Sequence, residues 1–396
     1  MIAASAAARP TTGGRARALA ALFASTLLIA ACGSSDASSD GAGEDDTTVL
    51  TNEAPESTTT TEAPADEAPA ASEDDADEMA DEGADDMADD GAVASPAVRP
   101  EIVTAPLSAG PLTVTPTHCV VEGTELVSTD SSASSIAFAG ERMFAATAAG
   151  ILAFTVDTAS GCTLSLDTEI GDAGVLHPDE FDSLSGTADG RLVAGNVFGM
   201  TVFDIEPGYS YECDGPNGRV SISPDGTQAV GVFATSPPEL WTLNDTICTN
   251  QGELSFDQLG DIRFIAFDGA DYLIGAKGLD DVTYGTRYNG TTEAWRVGTD
   301  EIGAPAWFGW VHGMAPCGAY TCIVDTNTFQ LAVVGADGNL AAGFDFDEAI
   351  GLRGWLEPII EGPDGGNYVL IGTTYDDEAT DERTYFGEII RLDVTG

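Results

Sequence analysis

The sequence predicts an all-β chain, a β-propeller of six blades (alternative seven) closed by an N-terminal outer strand. Three observations predict it. Tight-turn signals recur six times beyond about residue 113, their glycines average 45 residues apart, and each turn leads into two short apolar runs. Short strands at that period, about four per repeat, are the pattern of sheets fanned about one axis. The 46 glycines and a charged fraction of only 20% exclude a coiled coil or helical bundle, and 43% hydrophobic residues exclude global disorder. With 66 acidic against 14 basic residues, a net charge of −52 excludes nucleic acid as a partner, since phosphate recognition needs clustered cations.

Residues 1–31 read as an export signal. Arg9, Arg15 and Arg17 precede an apolar run over 18–31, too short for the roughly 20 residues that span a bilayer. Its end, Ile29-Ala30-Ala31-Cys32, resembles the bacterial lipobox. That resemblance implies a diacylglyceryl group on Cys32 and an extracytoplasmic chain, lipid-anchored to the bacterial cell membrane; an ordinary secreted protein is the alternative. Residues 32–112 form a linker. Positions 33–98 hold 21 Asp and Glu and no Lys or Arg, with a Thr58–Thr61 run and repeated Glu-Ala-Pro. So little apolar area cannot offset ordering entropy, and charge repulsion extends the segment as a stalk.

Residues 113–396 carry the repeats. The turns are Ala139-Gly140, Asp189-Gly190, Pro224-Asp225-Gly226, Asp268-Gly269, Cys317-Gly318 and Asp364-Gly365, whose glycines are spaced 50, 36, 43, 49 and 47 apart. Continuously apolar runs such as Tyr368-Val-Leu-Ile follow, as expected for strands near an axis with both faces covered. Gly and Ala recur in them, which suits crowding there. The last repeat lacks an outer strand, whereas the body opens with an orphan one over 119–127. That strand is expected to complete the last blade and remove the open edges.

The Ser223-Pro-Asp-Gly226 turn and the run 150–164 resemble the WD40-like and YVTN (lactonase-like) propellers of bacteria, over roughly residues 115–396. The Gly-His and Trp-Asp pairs of eukaryotic WD40 repeats are absent. The resemblance implies the architecture; no catalytic residue carries over from it.

Six cysteines remain after Cys32, an even number suited to an oxidising compartment. Cys317 and Cys322 bracket a strand turn, so a disulfide there is natural. Pairing neighbours around the ring gives Cys119–Cys162 and Cys213–Cys248, against a zinc site for which histidines and spacing are lacking. His118 beside Cys119 reads as structural. If the connections leading into the inner strands line one mouth of a channel, His177, Asp179, Glu180, Trp307, Trp310, His312, Trp355 and Glu357 could converge there. Aromatics with carboxylates suit a sugar or a cationic ligand; packing between blades is the competing role. Asp345, Asp347 and Glu348, and Asp376 with Glu378, offer hard oxygens to calcium without EF-hand spacing; no other cofactor is expected. No Gly-x-Ser-x-Gly elbow, His-Glu-x-x-His or phosphate loop occurs. The expected function is a non-enzymatic, monomeric binding platform for a protein or envelope glycan. A lactonase-like or glycan-active enzyme at the channel mouth is the alternative.

Overall fold

The computed structural model describes residues 102, 104–128, 135–215, 218–233, 236–346, 354–377 and 382–396, all within one compact unit, Ala88–Gly396. The expected signal segment, Cys32 and most of the linker lie outside the described residues, as do Asp347, Glu348 and Glu378.

The chain opens with β1 (Leu107–Ala109), β2 (Leu112–Glu122) and β3 (Val127–Ser128). Next come β4 (Ser135–Ala139), β5 (Arg142–Thr147), β6 (Gly150–Asp157), β7 (Thr163–Leu166) and the short β8 (Val175–His177). Three four-stranded sheets follow: β9 (Ser183–Gly186) to β12 (Tyr209–Cys213), β13 (Arg219–Ile222) to β16 (Cys248–Glu253), and β17 (Leu259–Asp268) to β20 (Thr292–Val297). A fourth runs from β21 (Val311–Cys317) to β24 (Leu340–Asp345). The chain ends in β25 (Trp355–Glu361), β26 (Asn367–Asp377) and β27 (Glu382–Thr395). Within each four-stranded sheet, consecutive strands pair antiparallel.

The remaining sheet has eleven strands along the path β25-β26-β27-β2-β7-β6-β5-β4, with β1, β3 and β8 attached at its sides. An N-terminal strand does join the last sheet, but upstream of the expected stretch: β2 runs antiparallel to β27 from Thr113↔Thr395 to Cys119↔Ile389, so of residues 119–127 only Cys119 takes part in that pairing. Its end goes further than expected. Val120–Glu122 pairs in parallel with Thr163–Ser165 of β7, fusing the last repeat to the first. The anticipated single strand over 119–127 is split, and β3 pairs separately with β27. Strand pairing also starts upstream of residue 113, with β1 on β2.

Local residue chemistry explains the turns. All six turn glycines have positive φ, from 63° at Gly140 to 91° at Gly190, a region closed to most side chains. Gly140, Gly269 and Gly318 each occupy the first position of a two-residue hairpin, where φ must be positive. The apolar runs are the second strands of the sheets, and β5, β14 and β22 are almost wholly buried. The crowding expected at the axis falls instead on the seams between sheets. A Cβ on Gly275 of β18 would stand 2.7 Å from Val311 in the next sheet.

The six leading strands, β4, β9, β13, β17, β21 and β25, together surround one central cavity of about 360 Å³, which gives the propeller-like arrangement. Each leading strand is a sheet edge, with N–H groups that need partners. Serines supply several. Ser135 Oγ accepts the Leu184 N–H at 3.0 Å and Ser221 Oγ accepts the Phe267 N–H at 3.1 Å. Ser183 Oγ accepts the Val220 N–H at 2.9 Å and donates to the Gly218 carbonyl at 3.1 Å.

The three disulfides join the expected partners: Cys119–Cys162, Cys213–Cys248 and Cys317–Cys322, with Cα separations of 4.4, 5.7 and 5.8 Å. The first locks β2 beside β7 where the chain closes. His118 Nε2 stands 2.9 Å from the buried Glu388 carboxylate, which accepts from it, anchoring β2 to β27 as a structural residue.

Candidate functional site

The side of the ring where the leading strands begin is called upper here. Strand alternation places the connections into each leading strand on it, together with the turns between second and third strands. The starts of the leading strands form a small cavity lined by Ser135, Asp182, Ser183, Arg219, His312 and Pro358, among others. Beside it opens a larger cavity of about 390 Å³, walled by Val232, Phe233 and Ile262 and by Asp182, Arg219, Asp261, Arg263 and Trp310. That volume lies in the range of about 300–1,000 Å³ typical of ligand pockets.

Position in the strands fixes these side chains. Arg219 opens β13, His312 is the second residue of β21, and Glu357 the third of β25. Arg219 Nη1 donates to the His312 carbonyl at 3.2 Å, while Nη2 lies 3.5 Å from His312 Nδ1 and 3.9 Å from Glu357 Oε2. His312 Nδ1 and Glu357 Oε2 are 3.5 Å apart, and both side chains are only 12% exposed. Desolvation pulls the Arg219 guanidinium below its ordinary pKa, with Glu357 and Asp182 opposing. Desolvation pushes the Asp182 carboxyl up, and Arg219 opposes it.

A second cation sits nearby. Arg263 binds Asp261 through Nε at 2.7 Å and Nη2 at 2.5 Å, and its guanidinium lies 3.8 Å from the Trp310 ring centroid. Trp310 is pinned in turn. Its backbone N–H donates to Asp325 at 2.5 Å, and the buried Asp325 also accepts from Thr328. The His312 ring meets the indole edge-on at 5.5 Å. One face of the indole is thus covered by a cation, with an imidazole packed at a steep angle against the same ring.

Of the residues expected at the mouth, Trp310, His312 and Glu357 come together. His177 does not. Strand β8 folds back onto β6 with Ile151↔His177 in register, which requires Gly150, where a Cβ would come within 2.1 Å of the His177 carbonyl. The imidazole consequently packs edge-on against Phe181 and Phe203, at 5.5 and 5.6 Å, away from the channel. Asp179 follows it, exposed and 3.8 Å from His177 Nδ1, and Glu180 is exposed beside Asn196. Trp307 and Trp355 are half-buried and line neither upper cavity.

Arg219, Arg263, Asp182 and Asp261 were not anticipated. A signal existed, because residues 101–396 contain only ten Lys and Arg and two of them stand at or just before the apolar core of a leading strand. For calcium, no group of three or more His, Cys, Asp or Glu is placed to hold a metal among the described residues. The Asp345 and Asp376 clusters extend beyond those residues.

No protein-family model and no curated protein matches the chain. Among solved structures, the chain is similar to the β-propeller domain of Cps50 (Swd1) from Myceliophteria thermophila. Identity is 12% and the TM-score 0.41, over 64% of this chain and 95% of that one. A chain of the nidogen/laminin complex is similar at 11% identity with a TM-score of 0.44, over 64% and 97% respectively. The fold description rests on the strand order above.

Proposed function

We propose that the protein is an extracytoplasmic lipoprotein whose six-bladed propeller is a non-enzymatic, monomeric binding platform for a protein or envelope-glycan partner. The six-blade count follows from reading the eleven-stranded sheet as two blades, β25-β26-β27-β2 and β7-β6-β5-β4, joined by the parallel β2–β7 pairing. Three disulfides suit an oxidising compartment, and the lipobox resemblance at Cys32 supports the anchor. Labelling with a fatty-acid probe in a bacterium should mark the wild type and spare Cys32→Ala.

One observation carries the platform reading: exposed apolar side chains and the charged cavity share one face. Of the nine large hydrophobics exposed among the described residues, Val197, Phe198, Phe233, Leu279, Ile302 and Trp310 lie in upper loops. Phe233 and Trp310 among them line the cavity, and apolar side chains exposed on the face that holds a pocket suit an interaction surface. A photocrosslinker at position 198 should give a discrete adduct that disappears with Leu279→Ser and Ile302→Ser; one at the lower-face position 245 should give none.

A second reading, a lactonase-like or glycan-active enzyme, is favoured by the His312–Glu357 pair beside Arg219, an arrangement that could move a proton next to a fixed cation. Turnover of lactones or envelope glycans that is lost in His312→Ala would establish it, whereas silence toward all of them supports the platform. Thermal shift with calcium tests the proposed acidic clusters.

A further inference from the structure

We infer that the cavity between Arg219 and Arg263 receives a carboxylate from a protein partner, presented beside a large apolar side chain. This inference deepens the platform reading and rests on it.

Arg219 carries more donors than it finds acceptors. A guanidinium offers five N–H donors. Among the described residues only the His312 carbonyl and ring nitrogen lie within hydrogen-bond distance of Arg219, and the nearest carboxylate oxygen is 3.9 Å away. A partly desolvated guanidinium so placed is stabilised by an acceptor that can take two parallel bonds, and a carboxylate has that geometry. Arg263 differs, because Asp261 already engages both its Nε and Nη2. Its role is to hold Trp310 in place as a wall. Asp182 and Asp261 line the same cavity, but Asp261 is taken up by Arg263, and a cationic group cannot satisfy the N–H donors of Arg219.

The walls select the rest of the ligand. Val232, Phe233, Ile262 and Trp310 make the lining predominantly apolar. Sugars bind such cavities by stacking on an open aromatic face, and Arg263 already covers one face of Trp310. On the same face, Phe198, Leu279 and Ile302 are 87%, 73% and 79% exposed. Leu279 and Ile302 are aliphatic, and with Phe198 they are the kind of side chain that another protein's apolar surface covers. The occupant is therefore an acidic side chain or chain end flanked by an aromatic or aliphatic residue.

Random peptides displayed on phage, selected on the full-length chain, test this directly. The enriched peptides should carry Asp or Glu beside Phe, Leu or Trp. Replacing that acid by its amide in a synthetic copy should weaken binding roughly ten- to hundredfold, as should Arg219→Gln. If Arg219→Gln fails to fold, the acid-to-amide comparison on the wild type decides alone. Peptides that lose affinity to Phe198→Ser with Leu279→Ser, yet ignore the acid-to-amide change, overturn the carboxylate and leave the platform standing. Enrichment of Lys or Arg in place of acids overturns it likewise. Binding of oligogalacturonate with no peptide enriched overturns the protein partner, and silence toward both overturns the platform reading as well.

Discussion

On the lower face Asp225 and Asp337 sit in turns and are saturated by nearby donors; on the upper face Asp182 and Asp261 stand with arginines around a cavity. Asp225 accepts from the Ser223 hydroxyl at 2.7 Å and from the Thr227 N–H and hydroxyl at 3.1 and 2.8 Å. Asp337 accepts from the Asn339 N–H at 3.1 Å and its side-chain amide at 2.6 Å. The Ser223 and Asn339 side chains hold these two carboxyls below their ordinary range. Asp182, on the upper face, is pushed the other way by desolvation. The exposed apolar residues divide just as unevenly, six on the upper face against Tyr209 and Ile247 on the lower. Where a turn satisfies its own polar groups, the residues build the blade. Where polar and apolar groups are left facing outward together, they are available to something else.

The closing seam offers the largest way to break this contrast. Replacing both Cys119 and Cys162 with Ser removes a link across 43 residues and should cost about 2–4 kcal/mol. Unfolding should remain one transition in calorimetry, because both faces belong to the same ring; two transitions would mean that the faces are separate folding units. Next, Asp364→Ala removes acceptors for Arg391 Nε at 2.8 Å, the Gly366 N–H at 3.2 Å and the buried Tyr368 hydroxyl at 3.2 Å. The expected loss is about 1–3 kcal/mol. Desolvation raises the Asp364 pKa, but the Arg391 bond and its companions outweigh it, and the net shift is below 3.8. A carboxyl lowered on folding stabilises above its unfolded pKa and loses that contribution as pH falls through the folded one. The gap between wild type and variant should therefore be full at pH 7 and vanish in strong acid.

Smaller still, Leu279→Ser with Ile302→Ser should change stability by no more than about 0.5 kcal/mol, since both are surface positions, while abolishing the crosslinked adduct. An equal loss of stability would mean that these side chains build the fold and would erase the contrast between faces. Least of all, Glu361→Gln acts at the lower end of the central cavity, where desolvation first and Asp268 second raise the carboxyl pKa. A raised acid destabilises when ionised, so the variant should gain up to about 0.5 kcal/mol at neutral pH. That gain should fade on acidification toward 4.5, the ordinary value, and a melting series across pH reads it.

Much of the framework was legible in the sequence. Gly140 and Gly318 announce hairpins because few other residues take positive φ, and Tyr368-Val-Leu-Ile announces a buried strand. Even closure by the N-terminal strand could be read from an outer strand missing at one end and spare at the other. The site was only half legible. His312 and Glu357 lie within leading strands and Trp310 just before one, so repeat alignment placed them. His177 belongs to a connection whose path depends on Gly150 admitting β8 against β6, and no period encodes that. The aligned apolar runs also turned out to be second strands, leaving the serine-bearing strands before them to line the axis.

Residue types alone determined the turns, the buried runs and the excess of acid, because each is a local demand of backbone angle, apolar area or charge. The tertiary structure decided which loops meet. Arg219 and His312 are 93 positions apart and touch only because three successive sheets turn about one axis. Arg263 covers Trp310 only because neighbouring sheets set them face to face. Rotation between sheets follows from packing at seams such as Gly275 against Val311, and packing is a property of the assembled ring.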